Sequence, residues 1–215
     1  MRDRSSVDDR ARRRLGPRRA FDIDWALEIG ERLFRERGYD LVGVAALTEA
    51  MDIVAPSFYA AFGSKAEFFK QVLLRYDAKA PQLSDLLKGG TSVLEALDAM
   101  LSSAIHGYVA CPSGRGCLVL ESARSGSGAV FAETMVNKHW SRVRAFIAAE
   151  HAALSDRAAD AVMTTMFGLS ACARAGWPLQ RLMDAKEVAL AGLGCLLGET
   201  DDGRPIHGTC IGAQS

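Results

Sequence analysis

The sequence predicts an all-α protein, with a small N-terminal helix-turn-helix unit followed by a larger C-terminal domain of longer helices. Three observations carry that expectation. Apolar residues recur at the 3.6-residue period along most of the 215 residues, and no run with the period-2 alternation of a strand competes. Four helical patterns fit between residues 22 and 79, the middle two very short and joined by a tight turn, which describes a helix-turn-helix. Beyond them, glycine and proline breaks divide the chain into longer helical runs.

The elements follow in order. Residues 1–19 are polar and arginine-rich and read as a basic arm. A helix then opens at Asp22 as N-cap, stacks Ile23, Leu27, Gly30, Leu33 and Phe34 on one face, and ends with Arg35, Arg37 and a C′ glycine, Gly38. A short run from Val44 to Ala50 buries Val44, Leu47 and Ala50 and stops at Met51-Asp52, where Asp can take the left-handed conformation. The next run holds Pro56, tolerable only in a first helical turn, and breaks at Gly63. "SKAE" then reads as a capping box, Ser64 to Glu67, opening a helix to about Lys79. Pro81 and Gly89-Gly90 mark a linker. Helical patterns follow at 91–109, 117–124, 129–153, 156–175 and 179–197. The resulting division is 1–19 arm, 20–80 helix-turn-helix domain, 81–198 C-terminal domain and 199–215 a loop-like tail.

Composition narrows the function classes. Formal net charge is zero, yet residues 1–19 hold eight arginines against three aspartates, a local charge of +5, so the remainder carries −5. A basic arm on an acidic body suits a polyanionic partner. The first residues lack an apolar secretory core and no run approaches the ~20 apolar residues of a membrane helix. Five cysteines at scattered spacing suit a reducing cytosol better than a disulfide framework. The expectation is a cytoplasmic protein with no membrane partner. No nucleophile motif, phosphate loop or HExxH is present, so no enzyme, cofactor or metal is expected. Cys111 and Cys117 flank "PSGRG" without a histidine near in sequence; that spacing does not make a zinc site, and inert thiols are favoured over a thiol switch.

The stretch "DIVAPSFYAAFGSKAEFF" carries the functional signal. A recognition helix needs short side chains at its N-terminus to approach base edges in the major groove, and Val54, Ala55, Pro56 and Ser57 supply them. Tyr59, one turn on, can reach a phosphate, and Lys65 adds a cation where helix-terminal amides favour an anion. The longer segment "FRERGYDLVGVAALTEAMDIVAPSFYAAFGSKAEFFKQVLLRY" resembles the DNA-binding domain of the TetR family of bacterial transcriptional regulators. The glycine after the first helix, Tyr-x-x-Phe, the Gly-Ser-Lys cap and the apolar frame fall in register over residues 20 to 76. The resemblance implies a dimeric all-helical repressor that binds near-palindromic double-stranded DNA and releases it when its C-terminal domain takes up a small effector. It assigns groove-facing roles to Val54 through Ser57 and phosphate contacts to Tyr59 and Lys65. Arg18 and Arg19, at the end of the arm, join them as candidate DNA contacts.

Three positions depart from that family pattern. Gly43 stands where Thr or Ser usually caps the second helix, Asp52 replaces the usual turn glycine, and Val54-Ala55 lacks the polar residue often found there. They shift the expected recognition toward the arm and DNA shape.

The C-terminal half is less specific. Met100, Phe131, Met135, Met163, Met166 and Phe167, with Trp140 and Phe146 beside them, suit a cavity for an apolar or amphipathic effector and equally a solid core. His106, His139 and His151 read as surface or core residues. Leu169, Ala173, Leu182, Leu190, Leu193 and Leu197 exceed one narrow apolar stripe on the last two helices, and such helices need cover beyond their own subunit. By resemblance these two helices form the dimer interface. The alternative to an effector-released repressor is an architectural or interaction DNA-binding module without an effector, and a solid C-terminal core would favour it.

Overall fold

A computed structural model describes residues 22–79, 92–111, 114–124 and 126–198. The arm with Arg18 and Arg19, the Pro81 to Gly90 linker and the tail 199–215 lie outside the described residues. Among the described residues there are nine α-helices and no strand: α1 (Ile23–Arg37), α2 (Val44–Ala50), α3 (Ala55–Phe62), α4 (Lys65–Ala78), α5 (Val93–Val109), α6 (Leu118–Ala123), α7 (Ala129–His151), α8 (Ser155–Arg174) and α9 (Leu179–Leu197).

Local signals in the sequence place the N-terminal boundaries. The Asp22 carboxylate accepts from the amides of Asp24 and Trp25 at 3.0 and 3.2 Å, and the Gly38 amide closes α1 onto the Phe34 carbonyl at 2.8 Å. Asp52 takes a φ of 50°, so the turn between α2 and α3 is made by the aspartate that stands in for glycine. Ser64 accepts from the Glu67 amide at 3.1 Å. Only this half of the expected box forms, because the Glu67 carboxylate lies 3.8 Å from Lys70 instead. A reciprocal box caps α5, where Ser92 and Glu95 bond each other's backbone at 3.2 and 2.8 Å.

α1 buries Ala26, Leu27, Gly30, Leu33 and Phe34, while Ile23, expected on that face, is half exposed because it precedes the first packed turn. Gly30 is where α4 crosses: a Cβ there would lie 2.5 Å from the Phe68 ring. Phe34, Phe58, Phe62, Phe68 and Phe69 pack into one aromatic cluster, with ring separations from 4.5 to 6.1 Å.

That N-terminal core does not stop at α4. Leu118 and Val119 of α6 and Ala132 and Met135 of α7 are buried in it. The second core gathers α5, α7, α8 and α9 around Leu97, Leu101, Ile105, Ile147, Val162 and Leu182, and Leu120 of α6 belongs to it. The six-residue α6 is therefore shared between both cores. A backbone seam runs beside it. Arg35 Nε donates to the Gly114 carbonyl at 2.8 Å, its Nη2 points to the Gly107 and Gly116 carbonyls at 3.4 Å, and Arg174 Nη1 donates to the Arg35 carbonyl at 2.6 Å.

Candidate nucleic-acid interface and effector cavity

Helix α3, the candidate recognition helix, is amphipathic. Phe58 and Phe62 are buried at 0 and 4 % exposure and anchor α3 on the aromatic cluster. The opposite side leaves Val54 and Tyr59 65 and 49 % exposed, with Ala55, Pro56 and Ser57 exposed between them. No side chain caps α3, since its N-cap is Val54 and Pro sits in its first turn. The predicted groove-facing residues thus share one uncovered corner.

Lys65 is differently placed from Tyr59. Its ammonium lies 4.0 Å over the Tyr39 ring, and burial pushes its pKa down while Asp40 opposes that shift. The cation is held against the protein and reaches outward only from that perch. Tyr39, which stacks with Phe34 and Phe69, seats it; the sequence reading assigned Tyr39 no role.

A cavity of about 520 Å³ lies where α5, α7 and α8 meet the C-terminal ends of α1 and α4. Met100, Met163 and Met166 line it with Val119, Leu120 and Val143, as expected for an apolar site. Phe131, Met135 and Phe167 do not. Met135 is buried in the N-terminal core, Phe131 packs on that core with Lys70 5.5 Å from its ring, and Phe167 packs against the C-terminal core away from the lining. Helical periodicity placed these residues on apolar faces but could not tell which core each face meets.

The polar part of the lining comes from residues that sequence reasoning passed over. Tyr76 and Tyr108 face it, with Cys117 beside them. Burial pushes both phenols up, Tyr108 strongly, and raises the Cys117 thiol. Tyr76 lies beside Cys117 in the lining. His139 Nε2 lies 2.8 Å from Asp77, whose carboxyl is held below the usual range chiefly by that hydrogen bond. A second, polar cavity of about 230 Å³ on the other side of Arg35 and Cys117 opens between the α1–α2 loop and Arg174.

Residues 26–72 match the sequence model of the bacterial regulatory proteins of the tetR family. The HTH-type transcriptional repressor BdcR of Escherichia coli (strain K12) is 33 % identical over 187 residues, which span 86 % of this chain and 95 % of the relative. The chain belongs to the tetR family. Solved structures agree. A cysteine mutant of the TetR family regulator CifR, complexed with 26-bp double-strand operator DNA, is 34 % identical with a TM-score of 0.72, covering 80 % of this chain and 97 % of that one. A second CifR cysteine mutant on the same length of operator is 33 % identical with a TM-score of 0.73, covering 81 and 98 %. This tetR-family chain is a helix-turn-helix transcriptional regulator and not an enzyme. No helix among its described residues is long and apolar enough to cross a membrane.

In this tetR-family chain the leucines expected at a dimer interface lie inward. Leu169, Ala173, Leu182, Leu190, Leu193 and Leu197 are 0 to 6 % exposed within the single chain and belong to its own C-terminal core. Among the exposed residues of α8 and α9 are the small Thr164, Gly168, Ala191 and Gly192, with Val188 76 % exposed, beside charged ones such as Asp160, Arg174, Asp184 and Glu187. A Cβ added at Gly168 or Gly192 would meet nothing within 4 Å. The leucines are covered by their own subunit, and the small residues are among those left uncovered in the single chain. Also unread in the sequence is Lys186, 2 % exposed on the α9 face turned to α5, where Asp98 and Glu187 pair with it and Ser102 accepts at 3.1 Å.

Proposed function

We propose that this regulator acts as a dimeric repressor in the bacterial cytoplasm. Two copies set their α3 helices in major grooves of a near-palindromic operator, and an apolar or amphipathic effector in the 520 Å³ cavity weakens that hold. The observation that carries the reading is α3 itself: a buried aromatic side fixing its pose and a bare corner of short residues turned outward. Val54, Ala55, Pro56 and Ser57 then meet base edges. Tyr59, Lys65 and the Arg18–Arg19 arm meet the phosphate backbone, which positions the protein without reading sequence. BdcR carries the name of a repressor and CifR was captured on operator DNA, which supports the same role here. The outward stripes of α8 and α9 are the faces we assign to pairing, because close-packed small residues let helices of two copies approach.

The cavity supports an effector-released repressor over an architectural DNA-binding module. It is floored by Glu31 and Arg35 of α1 and by Tyr76 and Asp77 of α4, so a ligand there touches α4, which packs on α3, and α1, which packs on α4. The test is fluorescence anisotropy of the full chain on DNA fragments flanking its own gene, with the mass of the complex measured in parallel. Saturable binding to one fragment by two chains is expected. Uniform weak binding to every fragment, or a monomer on the DNA, would refute the proposal.

A further inference from the structure

The cavity lining holds one buried side-chain polar atom without a hydrogen-bond partner among the described residues. Tyr108 is 4 % exposed, lines the cavity, and its hydroxyl has no hydrogen-bond partner among the described residues. Buried polar groups are nearly always satisfied, and an exception invites a functional explanation. Every charged side chain of the lining, by contrast, is already engaged. Glu31 accepts from Arg75 at 3.2 Å and Lys79 at 2.8 Å. Asp77 faces His139 at 2.8 Å. Arg35 spends its guanidinium on the three glycine carbonyls, and the Tyr76 phenol sits beside the Cys117 thiol. An ionic ligand would lose its hydration and find no uncommitted counter-charge. The remaining walls are mainly apolar and partly adaptable, Met100, Met163, Met166, Val119, Leu120 and Val143, with the half-buried Ser103 the one further hydroxyl.

We propose that the effector is an uncharged molecule with a mainly apolar body and one hydrogen-bond acceptor oxygen, which accepts from the Tyr108 hydroxyl. This inference rests on the cavity being the effector site, as proposed above. Burial keeps the Tyr108 phenol protonated, so it remains a donor across the physiological pH range. About 520 Å³ lies within the span of small-molecule sites, roughly 300–1,000 Å³, and holds a bicyclic body with a short substituent.

The test uses three probes that share a naphthalene body, titrated calorimetrically into the full chain without DNA: 2-acetylnaphthalene with an acceptor, 2-ethylnaphthalene with none, and 2-naphthoate with a charge. The ketone is expected to bind the natural chain about tenfold more tightly than the hydrocarbon, since a hydrogen bond that completes a buried donor has roughly this effect. Tyr108→Phe should erase that tenfold difference, leave the hydrocarbon's affinity unchanged, and melt no lower than the natural chain, because the hydroxyl it removes has no partner to lose. 2-Naphthoate should bind weakest to both. Equal affinity of ketone and hydrocarbon on the natural chain, tightest binding by the naphthoate, or binding by none of the three would each overturn the proposal. The ratio of ketone to hydrocarbon on the natural chain needs no variant, so the test survives a Tyr108→Phe that fails to fold. Operator binding is read on separate samples. Intact operator binding with no probe bound would defeat this inference alone, whereas bound ketone with no operator binding would defeat the repressor reading alone.

Discussion

Replacing Arg35 with Met should loosen the seam between the two cores more than any other single change on α1. The structure sets the size of the effect. One bond, from Nε to the Gly114 carbonyl at 2.8 Å, is short and made by a charged donor, and such bonds contribute about 1.5–3 kcal/mol. The two contacts at 3.4 Å are long and add little. The guanidinium also lies 5.6 Å from the Tyr76 ring, a geometry worth about 0.5–1 kcal/mol. Arg174 still bonds the Arg35 carbonyl in the variant, so the backbone seam survives in part. The expected loss is about 2–4 kcal/mol, which lowers the melting midpoint by roughly 5–10 °C for a chain of this size. Arg35→Lys should recover less than half, since one ammonium cannot span three carbonyls. Urea unfolding followed by circular dichroism measures the loss. Tryptophan fluorescence adds a second reading, because Trp25 sits in α1 and Trp140 and Trp177 in the C-terminal half. Loosening should broaden the transition as the two halves begin to unfold apart. If Arg35→Met were within about 0.5 kcal/mol of the natural chain, the size of an unremarkable surface substitution, the seam would carry no stability and the reasoning would fail.

Tyr59→Phe should weaken operator binding about two- to tenfold on every sequence alike, the size of one neutral hydrogen bond; a change in sequence preference, read by competition between fragments, would move Tyr59 from phosphate to base. Gly30→Ala should destabilise by about 1–3 kcal/mol despite its better helix propensity, because the new Cβ would sit 2.5 Å from the fully buried Phe68 ring; thermal melting checks it. Asp77 contributes stability above the ordinary carboxylate range and loses it as pH falls through its lowered pKa. Asp77→Asn should therefore flatten the stability profile below about pH 4, and an unchanged acid limb would remove the His139 pair from the account.

Local chemistry was legible and long-range chemistry was not. Asp22, Gly38, Asp52, Pro56 and Ser64 each act within a few residues of themselves, so propensity and capping rules place them from the chain alone. The exposed corner of α3 follows from the same periodicity once Phe58 and Phe62 are set inward. Arg35 shows the limit. It looked like an ordinary last-turn cation, but its partners are backbone carbonyls 72 to 81 residues away, and a carbonyl has no signature in a sequence. Lys186 hides its partner Asp98 in the same way, 88 residues off. The dimer leucines mark a different limit. An apolar surplus on α8 and α9 says that both faces of each helix are covered, but not that the leucines with Ala173 go inward while Gly168, Ala191 and Gly192 stay outward.

On the proposed effector reading, the shared α6 is the element that would turn a ligand in the C-terminal half into a signal at α3. Leu118 and Val119 pack in the N-terminal core and Leu120 in the other, while Val119 and Leu120 both line the cavity. Close-packed cores resist continuous deformation, so α6 cannot yield to a ligand on one side without moving its packing on the other. α4 touches the same cavity through Tyr76 and Asp77 and starts beside α3 at Lys65, so a small tilt at its far end is carried to the recognition helix. In a dimer the two α3 helices must match half-sites about 34–36 Å apart or a multiple of that, and a tilt repeated in both copies spoils the match without unfolding either. The ligand needs only to prefer the mismatched state, and a tenfold preference per molecule is about 1.4 kcal/mol. Linkage then requires operator DNA to weaken ligand binding by the same factor. Calorimetry of 2-acetylnaphthalene with the chain, free and saturated with operator, should show about a tenfold loss of ligand affinity on DNA. Unchanged affinity on the operator would mean that the cavity and the DNA do not communicate, whatever the cavity binds.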